Sequence, residues 1–571
     1  MKLRSVAIVI VLLLTSRAGA ALAADSTRTT ATPIEHLIVI VGENITFDNL
    51  FATYEPPAGE TVANLLSRGI VDRDGKPGPR FGDATQREAS VRDHYAVTPT
   101  TTGAYATLPQ PGTNYAKGLP RDAPDTRFPS DLPNGPFRIT RYVAYESPVG
   151  DPIHRFFQMW QQIDGGKKDL FTWVALTSGE GSRTRDDTKS STNQGGVAMG
   201  FYGMASGDMP YFRELAQKFA IADNYHQPVM GGTGANFLAL STGHAGVYLE
   251  NGKPATPPPN QIEDPDPREG TNNWYRRSGY RGGSYTACAD PSQPGVKAIR
   301  DYLASLPYKA FHDGNCARGS YYIVNNYSPG YSFDGSPQQL GASKYVLPPQ
   351  TAPEIGSALA KKGVSWKWYS GGRTVTGVDK DLYCSICDPL THSSAVMNGP
   401  LRANLQGLDA LYRDLGDETT LPAVSFVIPP NPESGHPAFS TVFELERFVK
   451  SVVAKVQASP AWSKTAILVT TDEGGGYYDS GYIQIIDFFG DGTRIPLIAV
   501  SPFAKKGYVD HTYYDHASVL KFIERNWKLP PLSDASRDNL PNPVTSATDP
   551  YVPTNRPAVG DLMNLFDFGG R

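Results

Sequence analysis

The sequence has only four cysteines, no excess of positive charge and, beyond its first residues, no long apolar run. Its formal net charge is −4 over 571 residues. Proteins that bind nucleic acid usually present a basic face, so we expect no nucleic-acid partner. A transmembrane helix needs about 20 consecutive apolar residues. Because no internal run reaches that length, we expect no transmembrane anchor.

The N-terminus has the pattern of a secretory signal peptide. Lys2 and Arg4 supply the charged start, residues 6–14 form a short apolar stretch, and Ala21 and Ala23 fit a small-x-small cleavage site. The apolar stretch is too short to span a bilayer as a stable helix. We therefore expect residues 1–23 to be removed and the protein to be secreted or periplasmic.

The four cysteines fit an exported protein. Cys288 and Cys316 flank a helical-looking segment, and Cys384 and Cys387 form a close pair. We expect disulfides 288–316 and 384–387, although four cysteines allow three connectivities. A zinc site would usually show two Cys-x-x-Cys pairs, and only one is present. A redox role for the close pair remains the alternative to a loop staple.

Two apolar runs end in residues that suit a metal ion. The run from Ala466 ends at Asp472 and Glu473 and continues into three glycines, and the run from His36 ends at Glu43 and Asn44. Strands that are apolar on both faces belong inside a parallel sheet, whose ligands bind at the carboxyl ends of the strands. We expect one composite cation site, and Asn44 is also a candidate N-cap for a helix over 46–54.

Strand-like and helix-like segments alternate along most of the chain, which predicts an α/β fold with a doubly wound, mostly parallel sheet. We expect the catalytic core in residues 24–250 and 346–530. The loop-rich residues 251–345 are predicted to form an inserted cap subdomain, and residues 531–571 a surface tail.

The segment 231–236, Gly-Gly-Thr-Gly-Ala-Asn, places the Thr233 hydroxyl at a glycine-rich turn that opens a helix. Such helix starts bind anions, most often phosphate. A threonine is a poor nucleophile until a metal ion or a base activates it. The alternative is that Thr233 is only an N-cap.

Among ten histidines, His154, His392 and His436 are candidates for contact with a bound group. His436 follows a predicted strand that ends near residue 428, which suits phosphate contact or protonation of a leaving group. For any single histidine, a structural role is the more frequent one.

Three blocks together resemble the bacterial phosphoesterase family, which contains phospholipases C and acid phosphatases. The first is Ile34-Glu-His-Leu-Ile-Val-Ile-Val-Gly-Glu43-Asn44-Ile-Thr-Phe47-Asp48. The second is Thr471-Asp472-Glu473-Gly-Gly-Gly-Tyr-Tyr478-Asp479. The third joins Gly492-Thr-Arg494-Ile-Pro496 to Tyr514-Asp-His516-Ala-Ser518.

The resemblance implies an alkaline phosphatase type of fold and a specific set of site residues. Glu43, Asn44, Asp472 and Glu473 would hold a divalent cation, and the sequence leaves Ca²⁺, Mg²⁺, Mn²⁺, Zn²⁺ and Fe²⁺ open. Thr233 would be the transiently phosphorylated nucleophile. His436 and His154 would contact the phosphoryl or leaving group, and Asn236 and His392 would bind substrate.

The predicted function is a metal-dependent acid phosphatase acting on small phosphomonoesters. The alternative substrate is a phosphatidylcholine-like lipid, cleaved by a phospholipase C. The phospholipase branch usually has Pro-Asn-Arg soon after the nucleophile, whereas residues 234–237 are Gly-Ala-Asn-Phe. A sulfatase is disfavoured because Thr233 cannot mature to formylglycine. An inactive binding protein with the same fold is the remaining alternative.

Overall fold

The computed structural model describes residues 29–90, 94–113, 116–120, 123–177, 195–267 and 282–569. The predicted signal peptide, residues 1–23, lies outside these ranges. No helix within the described ranges combines the length and apolar character needed to cross a bilayer.

The strands are β1 (His36–Gly42), β2 (Arg87–Ser90), β3 (Thr100–Ala104), β4 (Phe137–Arg138), β5 (Gly200–Phe201), β6 (Ala220–Ala222), β7 (Tyr225–His226), β8 (Leu249–Glu250), β9 (Lys253–Pro254), β10 (Tyr285–Thr286), β11 (Tyr322–Ile323), β12 (Trp366–Ser370), β13 (Leu405–Gly407), β14 (Val424–Ile428), β15 (Thr465–Thr471), β16 (Leu497–Val500), β17 (Val509–Asp510) and β18 (Tyr514–Asp515).

The α-helices are α1 (Phe47–Phe51), α2 (Phe156–Ile163), α3 (Phe171–Thr177), α4 (Pro210–Lys218), α5 (Thr233–Thr242), α6 (Val296–Ser305), α7 (His312–Asn315), α8 (Ile355–Lys362), α9 (Ser394–Met397), α10 (Leu408–Asp414), α11 (Val442–Ala458) and α12 (Ala517–Trp527).

Eight strands form the central sheet, in the order β13-β12-β14-β1-β15-β16-β6-β17. Seven of them run in one direction, and β16 alone is antiparallel to its neighbours β15 and β6. The sheet is therefore mixed and mostly parallel, which confirms the predicted α/β class.

Alternate residues of the central strands face two different apolar layers. Ile38 and Ile467 pack into one buried cluster with α2, α4 and α11, whereas Leu37 and Leu468 pack into another with α5, α8 and α12. Every residue of β1 and β15 is buried. A strand covered on both faces needs a continuous apolar run, which explains the two runs noted in the sequence.

The helix after β1 does not begin where the sequence predicted. Thr46, not Asn44, is the N-cap of α1, and its hydroxyl accepts a hydrogen bond from the Asn49 N–H. Asn44 has a φ of 63°, a left-handed conformation that asparagine tolerates better than most residues. Its side chain is therefore not used as a helix cap.

Both expected disulfides are present: Cys288 is bonded to Cys316, and Cys384 to Cys387. The first lies in the predicted cap, residues 251–345, whose α6 buries Val296 and Ile299 in the same apolar cluster as α2. The division into core and inserted cap remains a prediction.

Within residues 531–569, which the structure describes, the C-terminal segment is not confined to the surface, unlike the surface tail expected from the sequence. Arg537 is buried and paired with Asp487 and Asp491. Leu562 and Leu565 are fully buried in the cluster that contains α12. The segment is polar on average, but a few apolar residues and one arginine anchor it, and average composition does not reveal them.

Candidate active site at the carboxyl ends of two strands

The two strands that end in acidic residues are direct neighbours. β1 and β15 are parallel, and their register pairs Gly42 with Thr471. The next residues, Glu43 and Asn44 on one strand and Asp472 and Glu473 on the other, therefore lie side by side and are all buried. The structure brings the four predicted cation ligands together.

Several polar atoms of this cluster have no hydrogen-bond partner among the described residues: both side-chain polar atoms of Asn44, Asp472 Oδ2 and both carboxylate oxygens of Glu473. Leaving buried charges unpaired costs several kcal/mol in general. A divalent cation would satisfy these oxygens, and carboxylate and amide oxygens are suitable ligands for one. The donor set therefore fits the cation that the sequence predicted.

The carboxyl groups perturb one another strongly. Burial raises the pKa of Glu43 well above its usual value, and the nearby Asp472 and Asp151 raise it further. Burial also raises the pKa of Glu473, with further contributions from Asp472, Asp151 and Glu43. Burial raises the pKa of Asp472 to about 7. These carboxylates repel one another as long as no positive charge lies between them.

Asp472 is held in place by backbone and histidine contacts. Its Oδ1 accepts hydrogen bonds from the N–H groups of Asn44 at 3.2 Å and Glu473 at 2.7 Å. Its carbonyl oxygen accepts a hydrogen bond from His516 Nε2 at 2.8 Å. His516 Nδ1 in turn accepts the Tyr225 hydroxyl at 2.7 Å. The unpartnered Oδ2 is thus fixed in direction.

Thr233 is the first residue of α5 and lies next to this carboxylate. Gly232 occupies the N-cap position, so Thr233 is not the cap that the alternative interpretation required. Thr233 is only 2% exposed. Its hydroxyl approaches Asp472 closely enough to lower the pKa of that residue, although Oδ2 has no partner at hydrogen-bond distance.

The turn before α5 is braced by three amide side chains. Asn236 Nδ2 donates to the carbonyls of Gly231 and Gly232. Asn326 Oδ1 accepts the Gly234 N–H at 2.7 Å. Gln227 Oε1 accepts the Gly474 N–H at 2.9 Å and so ties this turn to the glycines after β15. Asn236 uses both amide hydrogens inside the turn, and its predicted substrate contact stays a prediction.

Glycine is required at two positions near the site, in the turn before α5 and in the turn after β15, because other segments of the chain approach closely. A Cβ on Gly231 would lie 1.8 Å from the carbonyl oxygen of Val324. A Cβ on Gly475, which has a φ of 60°, would lie 2.6 Å from the Cβ of Asn44. The glycines therefore let protein segments pack around the site, rather than only leaving room for substrate.

His154 and His436 face each other, with ring centroids 5.9 Å apart. His154 Nδ1 donates to the Pro152 carbonyl at 2.7 Å, whereas His436 Nδ1 accepts the Ala438 N–H at 3.1 Å. A neutral His436 therefore carries its proton on Nε2. Burial and the neighbouring His154 lower the pKa of His436, so the ring is neutral near pH 7.

His392 lies on a buried turn that packs against α5, and its Nδ1 has no hydrogen-bond partner within the described ranges. Burial lowers its pKa to about 3. The Cys384–Cys387 bridge lies close by, with Cys387 Sγ 3.4 Å from Glu43 Oε1. This part of the chain therefore touches both α5 and the acidic cluster, while the substrate role of His392 stays untested.

Sequence reasoning gave no role to three residues that the structure places at the site: Asp151, Gln227 and Asn326. Asp151 stands three residues before His154, which is the one sequence signal that pointed to it. Gln227 and Asn326 act through backbone contacts, and no local pattern distinguishes such side chains from ordinary loop residues.

Comparison with known proteins supports the same family. Residues 34–530 match the model of the phosphoesterase family. The hemolytic phospholipase C of Pseudomonas aeruginosa is 26% identical over 397 residues, covering 65% of this chain and 43% of that protein. A probable acid phosphatase of Kluyveromyces lactis is 25% identical over 290 residues, covering 48% and 58%. The chain spans less than two thirds of either relative.

Similarity to solved structures is weak. A protein in the alkaline phosphatase superfamily from Vibrio parahaemolyticus shares 10% identity with a TM-score of 0.26, over 55% of this chain and 59% of that one. Since the phosphoesterase model covers most of the chain, from residue 34 to residue 530, the protein belongs to the phosphoesterase family.

Proposed function

We propose that this protein is an exported, metal-dependent hydrolase of phosphoric monoesters that works through a phosphothreonine intermediate. The observation that carries the proposal is the position of Thr233, at the start of a buried helix and against Asp472, in a cluster where Asp472 Oδ2 and both Glu473 oxygens have no partner among the described residues. Family membership supports the reaction class.

Glu43, Asn44, Asp472 and Glu473 would hold the cation. Their oxygens suit Ca²⁺, Mg²⁺ and Mn²⁺ best, and Zn²⁺ and Fe²⁺ also accept carboxylate ligands. When bound, the cation lowers the pKa of a neighbouring hydroxyl and offsets charge on the phosphoryl oxygens.

Thr233 Oγ1 forms the new bond to phosphorus as its hydroxyl proton passes to water, and the ester P–O bond breaks with its electron pair leaving on the alcohol oxygen, which takes up a proton from water. Asp472 faces the hydroxyl and orients it. The neutral His436 offers its Nε2–H to a phosphoryl oxygen or to the departing oxygen. Water then attacks the phosphothreonine, which releases inorganic phosphate and restores the hydroxyl.

The low exposure of the residues around Thr233 supports a substrate with one organic group, that is, a phosphomonoester. Thr233 is 2% exposed and His154 5%, whereas His436 is only half-buried, so the organic group would extend past His436. A phosphodiester needs room for two organic groups at this depth. The alternative activity, that of a phospholipase C, is favoured by the similarity to the hemolytic phospholipase C of Pseudomonas aeruginosa.

Phe439 lies beside His436, on the more exposed side of the site. Its side chain is 50% exposed, and its ring centroid is 5.4 Å from that of His436. We infer that it contacts the organic part of the substrate. Phe439→Ala should raise KM for phenyl phosphate about fivefold, which is the size of one aromatic contact, with little change for methyl phosphate. An equal change for both substrates would contradict the contact.

The activity itself is tested by comparing p-nitrophenyl phosphate with phosphatidylcholine, each with and without a chelator. We expect chelator-sensitive hydrolysis of the monoester and slow or no cleavage of the lipid. Preferred cleavage of phosphatidylcholine would favour the phospholipase C alternative, and no hydrolysis of either would support the inactive binding protein.

A further inference from the structure

Asp151 is a buried acid for which neither the sequence nor the family model provides a role. It lies in the segment before α2 and is 7% exposed, and its Oδ1 has no hydrogen-bond partner in the part of the chain that the structure describes. Most buried carboxylates in the described part of the chain are paired with a base or with backbone N–H groups, as Asp125 is with Arg127. An unpaired buried carboxylate oxygen is costly and needs a partner.

Two groups of residues meet at Asp151. On one side, the Asn44 side chain approaches its carboxyl group, and Glu43 and Glu473 lie within electrostatic range. On the other side, its Oδ1 is 3.8 Å from His154 Nδ1. Potential ligand atoms of Asp151, His154 and His436 all lie within 4.8 Å of one another. Asp151 thus connects the acidic cluster to the histidine pair.

The balance of buried charges around Asp151 bears directly on its role. Glu43, Asp151, Asp472 and Glu473 are four buried carboxylates, and no lysine or arginine contacts any of them in the salt bridges of the described residues. One more carboxylate beside unpaired acids would destabilise the fold, unless a cation is bound there. The same carboxylate becomes favourable once the cation is present, because it adds a negative ligand.

We propose that Asp151 is a fifth member of the cation site and the residue that couples this site to His154. The proposal rests on the cation site of the proposed function. It assigns Asp151 to cation binding and to positioning of His154, not to attack on the substrate.

The test uses Mn²⁺ as the probe and Asp151→Asn, which keeps the side-chain shape and removes the charge. In chelator-treated protein, the variant should melt at a higher temperature than wild type because repulsion among the acids is relieved. Its Mn²⁺ affinity, measured by electron paramagnetic resonance of the free ion, should fall about tenfold or more. A purely structural carboxylate would give the opposite change in melting temperature and leave Mn²⁺ affinity unchanged.

Asp125→Asn is the matched control, since Asp125 is also buried but its carboxylate is paired with Arg127. It should lower the melting temperature and leave Mn²⁺ binding unchanged. If Asp151→Asn does not fold, the titration is made on Asp151→Glu, whose longer chain displaces the carboxylate. Unchanged Mn²⁺ affinity in a folded Asp151 variant overturns the proposal.

The readout separates this proposal from the proposed function. If wild-type protein binds no Mn²⁺ and no other divalent ion, the cation site as a whole is overturned. If wild type binds Mn²⁺ with help from Asp151 but hydrolyses no phosphoric ester, the role of Asp151 stands and the proposed activity fails.

Discussion

At the scale of single residues, the candidate site is marked by buried polar atoms that find no partner among the described residues. Asp472 and Glu473 were predicted as ligands because they follow a buried strand, and the structure places both beside Glu43 and Asn44. Their role as ligands stays a prediction. Asp151 was missed because it lies in an irregular segment, where one acid before a histidine is a weak signal. The sequence thus predicts residues at strand ends better than residues in loops.

We expect Glu473→Gln to lose the bound cation and the hydrolytic activity together. Both carboxylate oxygens of Glu473 are buried without partners, so the amide removes a charge that only the cation balances. Activity should fall about 100-fold or more, while metal content by mass spectrometry falls in parallel. Glu418→Gln, at a half-buried position paired with Lys464, is the control. Full metal content with lost activity would show that Glu473 is not a ligand.

At the scale of elements, β1, β15 and α5 bring the site together from distant parts of the chain. The apolar runs were enough to predict the two strands and their acidic ends. The exact turn before α5 depends on contacts from Asn326 and Gln227, which only the folded chain brings near Thr233. Long-range packing of this kind leaves no local pattern in the sequence. The sequence therefore predicted where the helix starts, but not the side chains that hold its first turn in place.

Gly231→Ala should displace the turn that carries Thr233. The added methyl group would meet the Val324 carbonyl at 1.8 Å, and overpacking of this kind usually costs about 1–3 kcal/mol. We expect a lower melting temperature and a larger loss in kcat than in substrate affinity. Gly82→Ala, which meets no atom within 4 Å, is the control. Wild-type kcat in the Gly231 variant would contradict the account of the turn.

The helix α12 carries an acid that should make stability fall as pH rises. Burial, followed by Asp538, raises the pKa of Glu524 to about 9 from its usual 4.5. The folded protein then keeps a proton that the unfolded chain releases between these two values, so this residue favours the fold less as pH increases across that range.

Glu524→Gln should therefore raise the melting temperature at pH 8 and change it little at pH 5. Calorimetry of wild type and variant across pH 5 to 8 measures this difference, with Glu418→Gln as the control. An equal effect of Glu524→Gln at both pH values would show that the folded-state pKa is not raised.

At the scale of the whole molecule, the C-terminal segment closes the structure around a buried ionic group. Arg537 contacts Asp487, Asp491 and Asp515, all of them fully buried. The sequence suggested a surface tail, because proline, asparagine and aspartate dominate it. One arginine among many polar residues gives no indication that it will be buried, so this part of the fold was not predictable.

Arg537→Gln should strongly destabilise the protein, because it leaves three buried carboxylates without their counter-charge. Removal of one partner from a buried pair usually costs about 3–5 kcal/mol. Chemical denaturation measures the loss. Arg525→Gln, which breaks an exposed pair with Asp561, should cost less than about 1 kcal/mol. Similar losses in the two variants would contradict the structural role of Arg537.

The central claim is that Thr233 becomes phosphorylated during turnover. The direct measurement is mass spectrometry of protein quenched in acid while it hydrolyses p-nitrophenyl phosphate, followed by proteolysis. We predict that the peptide containing Thr233 carries the mass of one phosphoryl group and that folded Thr233→Ala neither turns over nor labels. Full turnover by Thr233→Ala, or an active wild type whose phosphoryl group is found on another residue, would contradict the account.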